Sequence, residues 1–107
     1  SQCVIYLASS VKSNSSYKSI QKAQEIIKET GNLSVPLHLR NAPTKLLKDL
    51  GHGEGYGYAH DFSNNFVSQE YLPNEIKDTC FYIPGNNQKE NTLRNHLKNL
   101  WKDKYKY

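Results

Sequence analysis

Asn14-Ser15-Ser16-Tyr17-Lys18-Ser19-Ile20-Gln21-Lys22-Ala23-Gln24-Glu25-Ile26-Ile27-Lys28-Glu29-Thr30-Gly31 is the stretch that decides the fold. Tyr17, Ile20, Ala23 and Ile27 recur at helical spacing, and Gly31 can take the left-handed cap that ends a helix. The pattern predicts a helix from Asn14 or Ser15 to Thr30. Upstream, Ser9 to Ser13 is polar and rich in hydroxyls that bond to the backbone, so it reads as a connector. Before it, Cys3-Val4-Ile5-Tyr6-Leu7-Ala8 is apolar throughout, which suits a buried strand or the tail of a helix; helix is the reading adopted.

Downstream, a proline-containing extended stretch runs from Leu33 to Arg40, and Asn41-Ala42-Pro43 supplies an N-cap and a first-turn proline. A short helix over Thr44 to Leu50 should follow, closed by Gly51. From Gly51 to Asp61 glycine alternates with other residues four times, an irregular loop of demanding backbone geometry over which Tyr56 and Tyr58 can pack. Phe62 to Pro84 carries aromatics at irregular spacing, with a helical turn at Leu72 to Ile76 and room for a short strand at Phe81 to Ile83. After the turn Gly85-Asn86-Asn87, Leu93, Leu97, Leu100, Trp101 and Tyr105 mark one stripe of a final helix, roughly 25 Å long at 1.5 Å per residue. The fold class is mainly α: one small helical domain over residues 1–107, with a long irregular Gly/Tyr-rich segment and at most one short β pair.

A chain of 107 residues can bury roughly two-thirds of its unfolded surface in one compact core. With 36% hydrophobic residues and a mean hydropathy of −0.79, that core is lean, and another chain is expected to complete some apolar surface. The absence of methionine and the abrupt apolar start point to a fragment of a longer protein. The opening run is too short to cross a bilayer and lacks the features of a secretory leader, so no membrane role is expected. Cys3 and Cys80 are too few for a disulfide framework, and a reducing cytoplasm is the economical setting. The net charge of +4 sits in residues 88–107, with six basic and two acidic side chains; the first 87 residues balance at eight of each. Attraction to polyanions therefore belongs to the C-terminal end.

Catalytic motifs were tested by spacing. Starting G-x-G-x-x-G at Gly51, Gly53 or Gly55 puts Tyr56, Tyr58 or His60 at the last position, and no Gly-Lys pair exists for a Walker loop. His38, His52, His60 and Asp61 lack the close pairing of metal ligands, and Cys80 has no base beside it in sequence. No catalytic, cofactor or metal residue is assigned. Lys98, Lys102 and Lys106 lie four apart, hence on one face of the final helix, where they offer a DNA contact as the alternative function.

The run from Val35 to Gly51, followed by Gly53, Gly55, Tyr56, Tyr58, His60 and Asp61, resembles the C-terminal domain of the replication-associated recombination protein A family of AAA+ ATPases. That family includes the Werner-helicase-interacting proteins. The resemblance extends to Val4–Ala8, Lys12–Asn14 and Tyr17, and onward to Gln69–Pro73 and Phe81-Tyr82. It covers about three-quarters of the chain and fades from Asn86.

The resemblance implies a non-catalytic oligomerisation domain similar to the clamp-loader collar. It joins subunits, as a tetramer, so that ATP sites form between neighbours. ATP and magnesium would bind a separate AAA+ module, and the parent would work in the cytoplasm, at the nucleoid, with DNA and single-stranded-DNA-binding protein in replication-fork maintenance and recombination. Tyr6, Leu7, Tyr17, Leu46, Leu47, Tyr56 and Tyr58 are then core or interface residues. Arg40, Asn41, His60 and Asp61 form a hydrogen-bonded network that fixes the loop, or a partner or DNA contact.

Overall fold

The structure, a computed structural model, describes residues 1–107. Four α-helices occur in chain order: α1 (Gln2–Ser9), α2 (Ser15–Thr30), α3 (Lys45–Asp49) and α4 (Gln88–Trp101). A 3₁₀ turn at Leu37–Leu39 interrupts the extended stretch before α3, and three more, at Ala59–Asp61, Ser63–Asn65 and Asn74–Ile76, punctuate the long connection to α4. The fold is mainly α.

Each helix end has a local cause. α2 stops at Gly31, whose φ of +71° favours glycine while its N–H still donates to the Ile27 carbonyl at 2.8 Å. α3 is capped by Thr44, whose hydroxyl accepts from the Leu47 N–H at 3.3 Å. The expected cap, Asn41, lies too early: the helix begins at Lys45, so Pro43 precedes the cap instead of filling the first turn. At the start of α4, Asn87 Oδ1 accepts from the Glu90 N–H at 2.9 Å, and Asn87 Nδ2 donates to the Glu90 carboxylate at 2.6 Å.

Two expectations fail for identifiable reasons. Phe81–Ile83 is extended but forms no strand; the flanking carbonyls of Cys80 and Pro84 are taken by the side chains of Lys22 and Arg94 instead. α4 ends at Trp101, because Lys102 adopts a φ of +52° and turns the chain out of the helix. The helix is about 21 Å long, and Tyr105 packs back on Trp101 with ring centroids 5.1 Å apart instead of extending the stripe.

The expected compact core is absent. Only Ser15 and Pro84 are buried, and no hydrophobic side chain is. No two α-helices bring their backbones within packing distance; the elements in contact are the turns at Ala59–Asp61 and Ser63–Asn65. The radius of gyration is 17.5 Å, against about 13 Å for a compact chain of this length.

Two knots hold this open chain. In the first, the Glu90 carboxylate accepts from the Ser13 hydroxyl at 3.0 Å and the Tyr82 hydroxyl at 3.1 Å, tying the starts of α2 and α4 to the segment between them. A Cβ at Gly85 would fall 2.6 Å from a Glu90 oxygen, so a side chain there would push the carboxylate out of this position. In the second, Trp101 meets Phe66 edge-on at 4.9 Å and Tyr71 at 6.4 Å, and Lys104 pairs with Glu70 at 2.8 Å beside it.

Candidate assembly surface and the glycine-tyrosine loop

α1 has apolar residues on every side. Val4, Ile5, Tyr6 and Leu7 stand about 100° apart around the axis, and all are exposed, Val4 by 69% and Leu7 by 66%. A helix apolar all round belongs inside something. Its tie to the rest of the chain runs through Tyr6, whose hydroxyl accepts from Lys89 Nζ at 3.2 Å while the same ammonium lies 4.6 Å from the ring centroid. On α2, Tyr17, Ile20 and Ile27 are exposed, and on α3 so is Leu46. Of the residues read as core or interface, Tyr6, Leu7, Tyr17, Leu46, Tyr56 and Tyr58 thus face outward, and Leu47 is half-buried.

The glycine-tyrosine loop is a built structure. Gly51, Gly53 and Gly55 all have φ between +75° and +87°. The Gly53 N–H donates to the Leu37 carbonyl at 2.7 Å, folding the loop back over the 3₁₀ turn, and a Cβ at Gly53 would press on the Arg40 carbonyl at 3.3 Å. Farther on, one amide clamps the loop from both sides: Gln69 Oε1 accepts from the Gly57 N–H at 3.1 Å, and Gln69 Nε2 donates to the Gly57 carbonyl at 2.9 Å. The next residue, Glu70, offers its carbonyl to His38 Nε2 at 2.5 Å.

These bonds replace the network expected of Arg40, Asn41, His60 and Asp61. Arg40 Nε donates to the Val35 carbonyl at 2.7 Å, and Arg40 and Asn41 share a hollow of about 440 Å³ with Tyr56. His60 lies against the Tyr58 ring at 5.1 Å, and the Asp61 backbone N–H donates to the Tyr58 carbonyl. No hydrogen bond joins the first pair to the second, because the tight turn at Ala59–Asp61 leaves His60 and Asp61 at the surface. Gln69, which does the joining, has no local signal in the sequence; its partner lies twelve residues away.

The basic stripe also changes. Lys98 is on α4, but the turn at Lys102 sends Lys106 elsewhere, so Lys98, Lys102 and Lys106 do not share a helix face. Lys106 instead joins Lys22, Arg94 and Lys104 around a cavity.

The electrostatics follow the two knots. Burial raises the Glu90 carboxyl, but hydrogen bonds from the Gly85 backbone and the Ser13, Ser15 and Tyr82 hydroxyls outweigh it and hold the group below its usual 4.5. Burial likewise opposes, and Lys104 with the Leu72 and Tyr71 backbone overrides, at Glu70, also held below 4.5. Burial, with Glu90 beside it, raises the Tyr82 phenol.

Against known proteins, residues 1–101 match the family described as MgsA AAA+ ATPase C terminal. This reaches through α4, farther than the resemblance read from the sequence, which fades at Asn86. The chain is 43% identical over 100 residues to the replication-associated recombination protein A of Haemophilus influenzae, covering 92% of this chain and 22% of that protein. It is 42% identical over 97 residues to the protein of the same name from Escherichia coli K12, covering 90% and 22%. With the ATPase WRNIP1 of Dictyostelium discoideum it shares 44% identity over 82 residues, 76% of this chain and 9% of that one. The chain spans about a fifth of the length of the bacterial relatives.

No Gly-Lys-Ser/Thr loop is present and no three His, Cys, Asp or Glu side chains converge. No helix is long and apolar enough to cross a membrane.

Proposed function

Since the chain belongs to the family of MgsA-type AAA+ ATPase C-terminal domains, we propose that it is a non-catalytic assembly domain whose apolar faces are closed by further copies of itself. The observation that carries this is the missing core. The exposed surface is 8679 Å², whereas a compact monomer of 12.3 kDa exposes about 6,100 Å². The excess, about 2,600 Å², is surface that the chain leaves uncovered by itself. α1 takes the central position in this arrangement, because it needs cover on all sides.

Assembly serves the parent ATPase by proximity. Nucleotide sites of this class are completed by an arginine from the adjacent subunit, and tethering neighbours raises their effective concentration. ATP and magnesium bind in the AAA+ module outside residues 1–107. The bacterial relatives carry the name replication-associated recombination protein A, which supports a parent that works in that process; DNA and single-stranded-DNA-binding protein are its proposed partners. Thermal unfolding at several protein concentrations tests the proposal: the midpoint rises with concentration if copies complete the fold. A midpoint independent of concentration over a hundredfold range would remove its basis.

A further inference from the structure

The largest cavity, about 610 Å³, lies outside the apolar surfaces, between α2, the extended segment before Gly85, α4 and the last four residues. Its volume falls in the range of small-molecule sites. Four cationic side chains line it, Lys22, Arg94, Lys104 and Lys106, against one acid, Asp78. Lys104 is neutralised by Glu70, and that is the only salt bridge in the molecule. Lys22, Arg94 and Lys106 therefore have no side-chain anionic partner, and with Asp78 and the terminal carboxylate of Tyr107 counted the cavity of the 107-residue chain keeps an excess of about one positive charge.

Their donors are not used up. Lys22 Nζ gives one bond, to the Cys80 carbonyl at 2.7 Å, and has two protons left. Arg94 spends its terminal nitrogens on the Asn91 side chain and on the carbonyls of Pro84 and Gly85, leaving Nε free. Lys106 is exposed and makes no bond within the chain. Tyr105 and Tyr107, their ring centroids 6.2 Å apart, form an aromatic wall, and Ile83 and Pro84 add an apolar one. Burial, then a hydrogen bond with the Cys80 thiol, push the Tyr107 phenol up to about 12. Unpaired cations beside aromatic rings, in a space larger than a bare phosphate needs, match a phosphate that carries a ring.

We propose that this cavity binds a nucleoside phosphate, with Lys22, Arg94 and Lys106 on the phosphate and the Tyr105–Tyr107 wall against the base. Free nucleotide and a segment of single-stranded nucleic acid carry the same chemistry. No residue of α1 lines the cavity.

The test uses the 107-residue chain with two probes, a fluorescent ten-nucleotide oligo-dT read by anisotropy and unlabelled dTMP as competitor. Saturable oligo-dT binding that dTMP displaces at millimolar concentration identifies free nucleotide as sufficient; binding that dTMP does not displace identifies the strand. Both support the site, provided the double variant Lys22→Gln/Lys106→Gln binds at least about tenfold more weakly with a salt slope smaller by about 1.4, two phosphate contacts at roughly 0.7 each. The control Lys12→Gln/Lys18→Gln removes the same charge outside the cavity and should stay within about twofold of the parent chain. Far-ultraviolet circular dichroism and light scattering should show both variants folded and assembled as the parent is. No binding of either probe, or equal losses in the two double variants, overturns the proposal.

Discussion

The N-terminal helices and the C-terminal third solve the same problem in opposite ways. Around Trp101 and Glu90, side chains find partners within the chain: aromatic edges meet at 4.9 and 5.1 Å, a carboxylate collects hydroxyls from two other segments, and Lys104 pairs with Glu70. α1 and α2 leave Val4, Ile5, Leu7, Tyr17 and Ile20 open to water. Polar and aromatic ties have fixed geometry and can hold a chain without a large core, whereas aliphatic surface gains only by being covered. On the proposed reading, this domain is held in shape from within and stabilised from without.

The strongest way to break the contrast is to charge the uncovered side. Ile5→Asp/Leu7→Asp places two carboxylates where copies meet, and the dissociation constant of the assembly should rise at least about a hundredfold, as read by sedimentation velocity. The internal knots should survive, with Trp101 fluorescence unchanged. The opposite result comes next in size: Trp101→Ala removes the hub of the aromatic knot. Full burial would make that about 3–5 kcal/mol; Trp101 is half-buried, so about 2 kcal/mol is expected in urea unfolding at fixed protein concentration, with assembly retained. Gln69→Ala cuts the clamp on Gly57 and should cost about 1 kcal/mol. Gly57→Ala tests the same contact from the other side, because its new Cβ would lie 3.0 Å from a Val67 methyl.

The smallest effect is one of pH. The Glu90 carboxyl is lowered in the folded chain, so its contribution is complete above the unfolded value near 4.5 and is lost as pH falls through the folded one. Stability measured from pH 6 to pH 3 should decline more steeply for the parent chain than for Glu90→Gln. Equal slopes would show that the Ser13 and Tyr82 hydroxyls do not favour the charged form.

Legibility in the sequence followed the locality of the cause. α2 could be read because Tyr17, Ile20, Ala23, Ile27 and Gly31 carry their message within one element, whereas the six apolar residues of α1 mark an ordered element but suit strand and helix alike. The cap of α4 has a local signal: Asn87 three residues before Glu90 is a capping-box spacing. The end of α4 had no signal, since a lysine at positive φ looks like any lysine, and only the return of Tyr105 onto Trp101 explains it. The Gln69 clamp and the cavity around Lys22, Arg94 and Lys106 unite residues from different segments, which pattern within a window cannot reveal. The lean core was legible from composition; that it would vanish altogether required knowing that no two of the four helices pack backbone against backbone.

The central claim is that copies of this chain supply the cover that α1 lacks. Multi-angle light scattering after size exclusion, on the 107-residue chain at high micromolar concentration, measures this directly. The account predicts a mass about four times the 12.3 kDa of one chain, falling on dilution and falling further in Ile5→Asp/Leu7→Asp. A single peak at 12.3 kDa at every concentration, with the fold intact, would contradict it.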